Sequence, residues 1–326
     1  MSSVDVVVPC YNYSRFLREC VTSILAQTGP PVRVLILDDA SHDETPEVAS
    51  SLMEEDSRVF YRRHHENIGH IKTYNEGIEW VTANYYLLLS ADDYLLPGAL
   101  QRSASLLDDN QNVAFVFGNV IETNQTGERY QIRPFPDTPE TQERRIIKGS
   151  DFIHAFRANN VVPTTTALIR TELQKLCGGY RTDLPHAGDW EMWLRLSARG
   201  DIGFINRDQA VRRLHGKNMS NQYFADTLLL DLQQRFEVLR VFFSENDKAI
   251  PDLDKTQRTS FLVLAEEVVG LASQIFNEGR KSESLQLANY ALEISPDIRN
   301  TILWRNLTIK LTIGPRLWRA IHSIWK

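Results

Sequence analysis

Asp92 and Asp93 are adjacent and follow the apolar run Tyr85–Leu89 after Ser90 and Ala91. Two carboxylates this close repel each other unless a cation sits between them or they point apart. Hard divalent cations such as Mg2+ or Mn2+ take carboxylate oxygens and complete their shell with water or phosphate oxygens. The other reading is that one of the pair caps the helix beginning near Pro97. A second pair, Asp38-Asp39, ends the apolar run Val32–Leu37 and leads into Ala40-Ser41-His42-Asp43. It reads either as a turn with an N-cap or as a hydrogen-bond acceptor for a base or ribose, with Asp39 in that role. The third cluster is His186-Ala187-Gly188-Asp189-Trp190-Glu191. Gly188 permits a sharp turn, which places Asp189 at a helix start where the dipole favours its ionised form. A carboxylate there either caps the helix or takes the proton of an attacking hydroxyl.

These clusters need elements to hold them, and the first 120 residues alternate between two periods. Apolar runs at Val4–Val8, Val32–Leu37, Val59–Tyr61, Tyr85–Leu89 and Val113–Phe117 predict strands. Between them Leu17, Cys20, Val21, Ile24 and Leu25 fall at helical spacing, with Ser14 as the predicted N-cap. Asp43 to Met53 and Ile71–Val81 also predict helices, as does a segment entered at Pro97 and running through Leu107. The alternation indicates an α/β fold with a mostly parallel sheet and helices on both faces. Ligands of such sheets bind beyond the carboxyl ends of the strands. Both acidic pairs fall there and are predicted to share one crevice.

From Ile121 to about Gly149 the prolines Pro134, Pro136 and Pro139 break the pattern, which predicts a loop or short hairpin. Thr165–Ile169 predicts a strand, Trp190–Leu196 an amphipathic helix, and Ile202–Ile205 and Val211–Leu214 two short strands. After Tyr223 the character is helical, with Leu228–Phe243 strongly periodic. Ala272, Phe276, Gly279, Leu287, Ala288, Ala291, Leu292 and Pro296 are spaced as in one tetratricopeptide-type hairpin, and generic helix packing accounts for them as well. The expected domains are 1–222 and a helical region 223–326.

In order, Pro9-Cys10-Tyr11-Asn12-Tyr13, Asp38-Asp39-Ala40-Ser41, Asn67-Ile68-Gly69, Ser90-Ala91-Asp92-Asp93 and Gly188-Asp189-Trp190-Glu191-Met192-Trp193 resemble the family 2 glycosyltransferases, over residues 3 to 220. The resemblance implies the GT-A fold, a mixed, mostly parallel sheet flanked by helices, here with a C-terminal helical extension. It implies inverting transfer of a sugar from a nucleoside-diphosphate donor, a UDP- or dTDP-sugar, to an acceptor hydroxyl. Pro9, Tyr11 and Asp39 match positions that hold the base and ribose, and Lys72 a basic position near the donor. Asp92 and Asp93 match the acidic motif that holds ribose and a Mg2+ or Mn2+ ion, and Asp189 the catalytic base. Trp190 and Glu191, with His186 and Thr164, match the acceptor side, and the segment from Asn160 to Thr166 matches the crevice there. The stretch from Arg212 to Ser220 resembles a late loop that closes over the diphosphate. On that resemblance His215 reads as a further metal ligand or as a loop histidine without that role, and Arg213 and Lys217 meet phosphate. Two positions depart from the pattern. Ser90 stands where many relatives have Asp, and Gly188 where many have an acidic residue, which leaves Asp189 as base with Glu191 as fallback.

Composition bounds the rest. The 326 residues are 42% hydrophobic and 10% aromatic, as in globular proteins, and a formal net charge of -6 argues against nucleic-acid binding. Cys10, Cys20 and Cys177 make no metal pattern and suit small buried thiols. No basic segment precedes an apolar one at the start, and no uninterrupted apolar stretch reaches the ~18 residues of a membrane span, so the expected location is the cytoplasm. Residues 299–326 hold six Lys or Arg and no Asp or Glu, with Trp304, Trp318 and Trp325. This tail reads as a helix in a membrane interface, at the inner face, or as one docked with its Trp residues buried. The acceptor class implied is a polysaccharide or lipopolysaccharide-type glycan, or a lipid-linked chain. A nucleotidyltransferase would begin with a Gly-rich basic loop, and a dehydrogenase with GxGxxG; neither follows the first strand. A catalytically silent GT-A module is the remaining alternative, and the intact acidic set speaks against it.

Overall fold

A computed structural model describes residues 2–156, 159–216, 218, 228–246, 250, 252–315 and 317–318. The chain divides into two compact units, Met1–Ala155 with Asn160–Asn221 and Phe156–Asn159 with Gln222–Lys326. The boundary expected at 222/223 and residues Lys217, Met219, Ser220 and Trp325 lie outside the described residues.

The first unit holds strands β1 (Val4–Cys10), β2 (Val32–Asp38), β3 (Val59–Arg63), β4 (Tyr85–Leu88), β5 (Tyr94–Leu95), β6 (Val113–Thr123), β7 (Arg129–Ile132), β8 (Arg144–Ile147), β9 (Leu168–Arg170) and β10 (Asp201–Arg213). Among the described residues they form one sheet in the order β3-β2-β1-β4-β9-β6-β10-β5, with β7 on β6 and β8 on β10. β3, β2, β1 and β4 run parallel, as do β6 and β10; β9 is antiparallel to both β4 and β6. Helices α1 (Ser14–Leu25), α2 (Thr45–Glu55), α3 (His70–Trp80), α4 (Ala99–Asp109), α5 (Gly149–Ala155), α6 (Thr171–Cys177) and α7 (Gly188–Ser197) flank the sheet. Val6, Val8, Leu17, Ile24 and Ile36 are fully buried between β1, β2 and α1. Burial of each such side chain is worth about 1.5–3 kcal/mol. On α3, Gly77 admits β1 closely, since a Cβ there would come within 2.4 Å of Val7.

Several expectations are corrected. Ser14 is the first residue of α1 rather than its side-chain cap, and its N–H donates to Asp43 Oδ2 at 3.0 Å. A carboxylate reaching in from the loop after β2 thus satisfies a helix-start donor. Pro97 lies ahead of α4, whose N-cap is Gly98 in the left-handed region. The two short strands foreseen between 202 and 214 are one strand, β10. Its polar segment Asn206–Gln209 rides through register shifts against β6, and alternation lost at a bulge hides continuity. β6 runs six residues past Phe117 and pairs with β7 as a hairpin. Thr164–Thr166 is a 3-10 turn that precedes β9.

The second unit holds α8 (Leu228–Glu245), α9 (Leu253–Asn277), α10 (Lys281–Ile294) and α11 (Ile302–Ile313). α9 and α10 form a hairpin in which Ser284 Oγ donates to the Ala272 carbonyl at 2.7 Å. By length and mean hydropathy, 1.4, α9 passes as a membrane span. Glu266-Glu267 interrupts it, however, and Leu264, Val268, Val269, Ala272 and Phe276 are buried, as in the core helix of a bundle. Thr301 caps α11 by accepting the Trp304 N–H at 3.2 Å. Leu307 is buried there while Ile302 and Ile309 are exposed.

Candidate active site

Because β1 pairs with both β2 and β4, the carboxyl ends of these three strands lie side by side. The chain leaving each is tied to β1: the Asp39 N–H donates to the Cys10 carbonyl at 2.9 Å and the Ala91 N–H to the Pro9 carbonyl at 3.3 Å. Asp39 and the Asp92-Asp93 pair therefore flank the end of β1, with Pro9 between them. Asn12 and Ala40 hold φ of 59° and 60°, a region side chains rarely adopt. Asn12 is fixed there by its N–H to Ser41 Oγ at 2.9 Å and by its Oδ1, which accepts the His42 N–H at 2.8 Å. Strain of this kind persists where the surroundings over-determine it and clusters at functional sites. Tyr11 is exposed and meets the edge of the His42 ring.

Asp39 is 5% exposed. Its Oδ1 accepts the Ile68 N–H at 2.8 Å and its Oδ2 the Gly69 N–H at 3.0 Å, while Asn67 Nδ2 donates to its carbonyl at 3.2 Å. Gly69 holds φ +86°, which lets the backbone aim its N–H at Asp39 immediately before α3. The Asn67-Ile68-Gly69 segment is thus a cradle for Asp39. His64 Nδ1 lies 2.8 Å from Asp39 Oδ1; sequence reasoning missed it, because a lone histidine after a strand carries no spacing signal. Lys72 is exposed on the first turn of α3 and makes none of these contacts.

Asp92 and Asp93 are each 4% exposed. Asp92 Oδ2 lies 3.1 Å from His215 Nε2 and accepts Asn218 Nδ2 at 3.1 Å. Asp93 Oδ1 accepts the Arg213 N–H at 2.9 Å, and the Arg213 guanidinium donates to the Asp92 carbonyl at 2.6 Å and to Glu19 at 2.5 Å. The His215 ring stacks on Phe16 and meets Tyr13 edge-on. The late loop is thereby docked on the acidic pair, and Phe16 is a contributor that the sequence did not single out. Burial, and then the charge of Asp92, push the Asp93 carboxyl well above the usual range. Two buried carboxylates with an imidazole beside them are a hard donor set that a divalent cation would relieve of its repulsion. Among the described residues no group of three or more His, Cys, Asp or Glu closes on one point. An ion at the Asp92-Asp93 pair would thus take its remaining ligands from water and phosphate, with His215, 3.1 Å from Asp92, beside it as a nitrogen donor.

Asp189 opens α7 and is half-buried. Its Oδ1 accepts the Trp190 N–H at 2.8 Å, and its Oδ2 accepts Asn160 Nδ2 at 2.9 Å and Thr164 Oγ1 at 3.3 Å. Burial raises its pKa, against the pull of these donors and of nearby His186. The turn holding Thr164 packs against β4 and β5, which bracket Asp92-Asp93 in sequence. On the other side His70 Nε2 lies 2.9 Å from the Pro185 carbonyl, and a Cβ on Gly188 would meet Ile71 at 3.8 Å. The start of α7 thus adjoins the start of α3, beside the Asp39 cradle. Thr164, His186 and Asp189 belong together on this side.

Glu191 does not fit its expected place as fallback base. It is fully buried, and Arg195 holds both its oxygens, at 2.9 and 2.6 Å. Three residues beyond the start of α7 a side chain points back into the body, and so does that of Trp190, 3% exposed. Arg195→Leu is expected to cost about 3–5 kcal/mol in urea unfolding, because Glu191 would stay buried without its guanidinium. A loss under about 1 kcal/mol would place the pair with surface bridges.

The fold is that of the GT-A glycosyltransferases. The glycosyl transferase family 2 profile matches residues 5–170, more than half of the chain, and the chain belongs to that family. It is 27% identical over 217 residues to the chondroitin synthase of Pasteurella multocida, a match covering 67% of this chain and 21% of the synthase. The chain spans just under two thirds, 66%, of the length of the first curated relatives it matches. Staphylococcus aureus TarS 1–349, solved with UDP-GlcNAc, superposes with a TM-score of 0.59 at 14% identity, covering 91% of this chain and 92% of that one. Mannosyltransferase PcManGT from Pyrobaculum calidifontis, solved with GDP-Man and Mn2+, gives 0.53 at 16% identity, covering 91% and 87%.

Proposed function

We propose that this chain transfers a sugar from a nucleoside-diphosphate sugar to a hydroxyl of a glycan or lipid-linked acceptor, in one inverting displacement with Asp189 as base. The observation that carries this is the placement of Asp189 next to the edge where Asp39, Asp92 and Asp93 converge. On this reading Pro9, Tyr11 and Asp39 receive the nucleoside, with Asp39 pre-set by the Ile68 and Gly69 N–H groups. A carboxylate so oriented spends little on reorganisation when the ligand arrives. Asp92, Asp93 and His215 would hold Mg2+ or Mn2+, which would supply positive charge against the charge that grows on the departing diphosphate. Arg213 braces the pair and lies near the phosphates, whereas the exposed Lys72 reaches the donor only from the rim.

Asp189 takes the acceptor proton. Trp190 N–H, Asn160 and Thr164 fix the carboxylate, and its raised pKa makes it a stronger base than an ordinary aspartate. His186 and Thr164 border the acceptor, and the buried Trp190 supports the floor beneath it. UDP- and dTDP-sugars are the donors to try first; TarS with UDP-GlcNAc supports UDP, and PcManGT supports a metal. Likeness to a chondroitin synthase supports polysaccharide synthesis. The domain pair 1–222 and 223–326, a cytoplasmic setting and contact of the basic tail with the inner membrane face complete the proposal, the last supported by exposed Ile302 and Ile309 beside exposed Arg305. The test is turnover of UDP-, dTDP- and GDP-sugars with Mn2+, scored for transfer and for donor hydrolysis. Release of a nucleoside diphosphate from one of them is expected; no turnover and no nucleotide binding would point to a silent module.

A further inference from the structure

Both ring nitrogens of His64 face carboxylates: Nδ1 lies 2.8 Å from Asp39 Oδ1 and Nε2 lies 2.9 Å from Glu76 Oε2. An ionised carboxylate only accepts hydrogen bonds, and a neutral imidazole donates from one nitrogen alone. The imidazolium satisfies both contacts at once. The side chain is 11% exposed. Burial by itself lowers the pKa of the ring, but the hydrogen bonds to Asp39 and Glu76 outweigh it and raise the pKa above the ordinary histidine value.

These contacts join three pieces of backbone. His64 follows β3, and its own N–H donates to the Asp38 carbonyl at 2.9 Å. Asp39 follows β2 and already carries the Ile68 and Gly69 N–H groups. Glu76 belongs to α3, two turns after Gly69. We propose that protonated His64 is a positioning residue for the nucleotide end of the donor site, locking the Asp39 carboxylate to the cradle and, through Glu76, to α3. This rests on the assignment of Asp39 to the nucleoside made above.

Other charged groups border the ring. From β3, Arg62 pairs with Glu76 Oε1 at 3.5 Å and Arg63 with Asp38 at 3.4 Å. From β2, Asp38 also accepts the Tyr61 hydroxyl. His65 and Glu66 follow in the chain and are exposed, as are Lys72 and Glu79 on α3. Among the described residues, Asp39 and Glu76 are the hydrogen-bonding partners of the imidazole nitrogens. When pH rises through the His64 pKa the ring keeps one donor, one of the two carboxylates loses its partner, and the lock opens. Nucleotide affinity should therefore be high while the ring is charged and fall as it deprotonates.

The test uses the full chain, with UDP and GDP as probes in Mg2+ buffer. Binding is measured by calorimetry from about pH 6.5 to 9. In parallel, NMR follows the His64 ring signal, assigned by its loss in His64→Gln. For the wild type, affinity is expected to fall about tenfold over the range in which the ring titrates. His64→Gln should bind about tenfold more weakly at the acid end, with no inflection. Glu76→Gln, which leaves the histidine in place, should move the ring titration and the affinity inflection together to lower pH. A ring titrating at or below the ordinary value of about 6.5, or wild-type affinity in His64→Gln across the range, would overturn the inference. If Asp39→Asn loses binding while His64→Gln keeps it, the donor site stands and the positioning role fails. If neither nucleotide binds the wild type at any pH, the Asp39 assignment falls and takes the lock with it.

Discussion

Asp189→Asn is expected to lower transfer by about 10²–10⁴-fold while nucleotide binding and fold persist. The amide keeps the shape of the carboxylate and can still accept the Trp190 N–H at one oxygen, but it cannot take a proton. Charge bookkeeping separates this from simple unfolding. Burial raises the pKa of Asp189 in the folded chain, so its ionised form is the less favourable one there. The stability linked to this group is fullest below its unfolded pKa and declines as pH rises through the folded one. Removing the ionisation therefore takes no charge-based stability away at neutral pH. The same shift sets the pH profile of the wild type: kcat/KM should fall on the acid side with an apparent pKa above the ordinary aspartate value of about 3.9. Kinetics and thermal melting of both proteins check this. Near-full turnover in the variant would remove Asp189 from the chemistry.

Withdrawal of divalent cations is expected to suppress transfer by about 10³-fold or more, the equivalent of several kcal/mol of charge stabilisation at the leaving diphosphate. Asp93→Asn should reproduce most of that loss even with metal present. Two buried acids side by side are unfavourable without a counter-charge, and the Asn variant leaves only Asp92 and His215 to grip the ion. The Arg213 N–H to Asp93 and the His215 and Asn218 contacts to Asp92 also dock the late loop. Melting temperature of the variant therefore has to be followed beside activity. Full activity after dialysis against EDTA would exclude a cation from the step.

Much of this site could be read ahead of the coordinates, for a physical reason. Parallel strands buried on both faces are continuous apolar runs, so β1, β2 and β4 announce themselves, and the residues after their carboxyl ends must share an edge. Asp39, Asp92 and Asp93 were legible through that rule alone. Asp189 was legible only by its order among the other motifs, since an aspartate at a helix start has a capping role in most settings. What the sequence hid depends on three dimensions. The partition of Asp189 and Glu191 follows from helix geometry: positions two apart on α7 point to different sides, so one aims at Thr164 and the other at Arg195. The His64 contacts join β2, β3 and α3 through a loop with no periodicity. β10 was broken in two because its bulged polar segment carries no alternation. Ser14 looked like a cap because caps are usually local, whereas Asp43 reaches across from another loop to do that work.

The most direct measurement is a crystal structure of the full chain with UDP and Mn2+, using the anomalous signal of the metal. The expected result is one Mn2+ at the Asp92-Asp93 carboxylates, joined to the diphosphate, with the nucleoside on Asp39 and the Asp189 carboxylate facing the far side of the diphosphate. A metal peak remote from Asp92 and Asp93, or a nucleotide bound on a surface that Asp189 does not face, would contradict it.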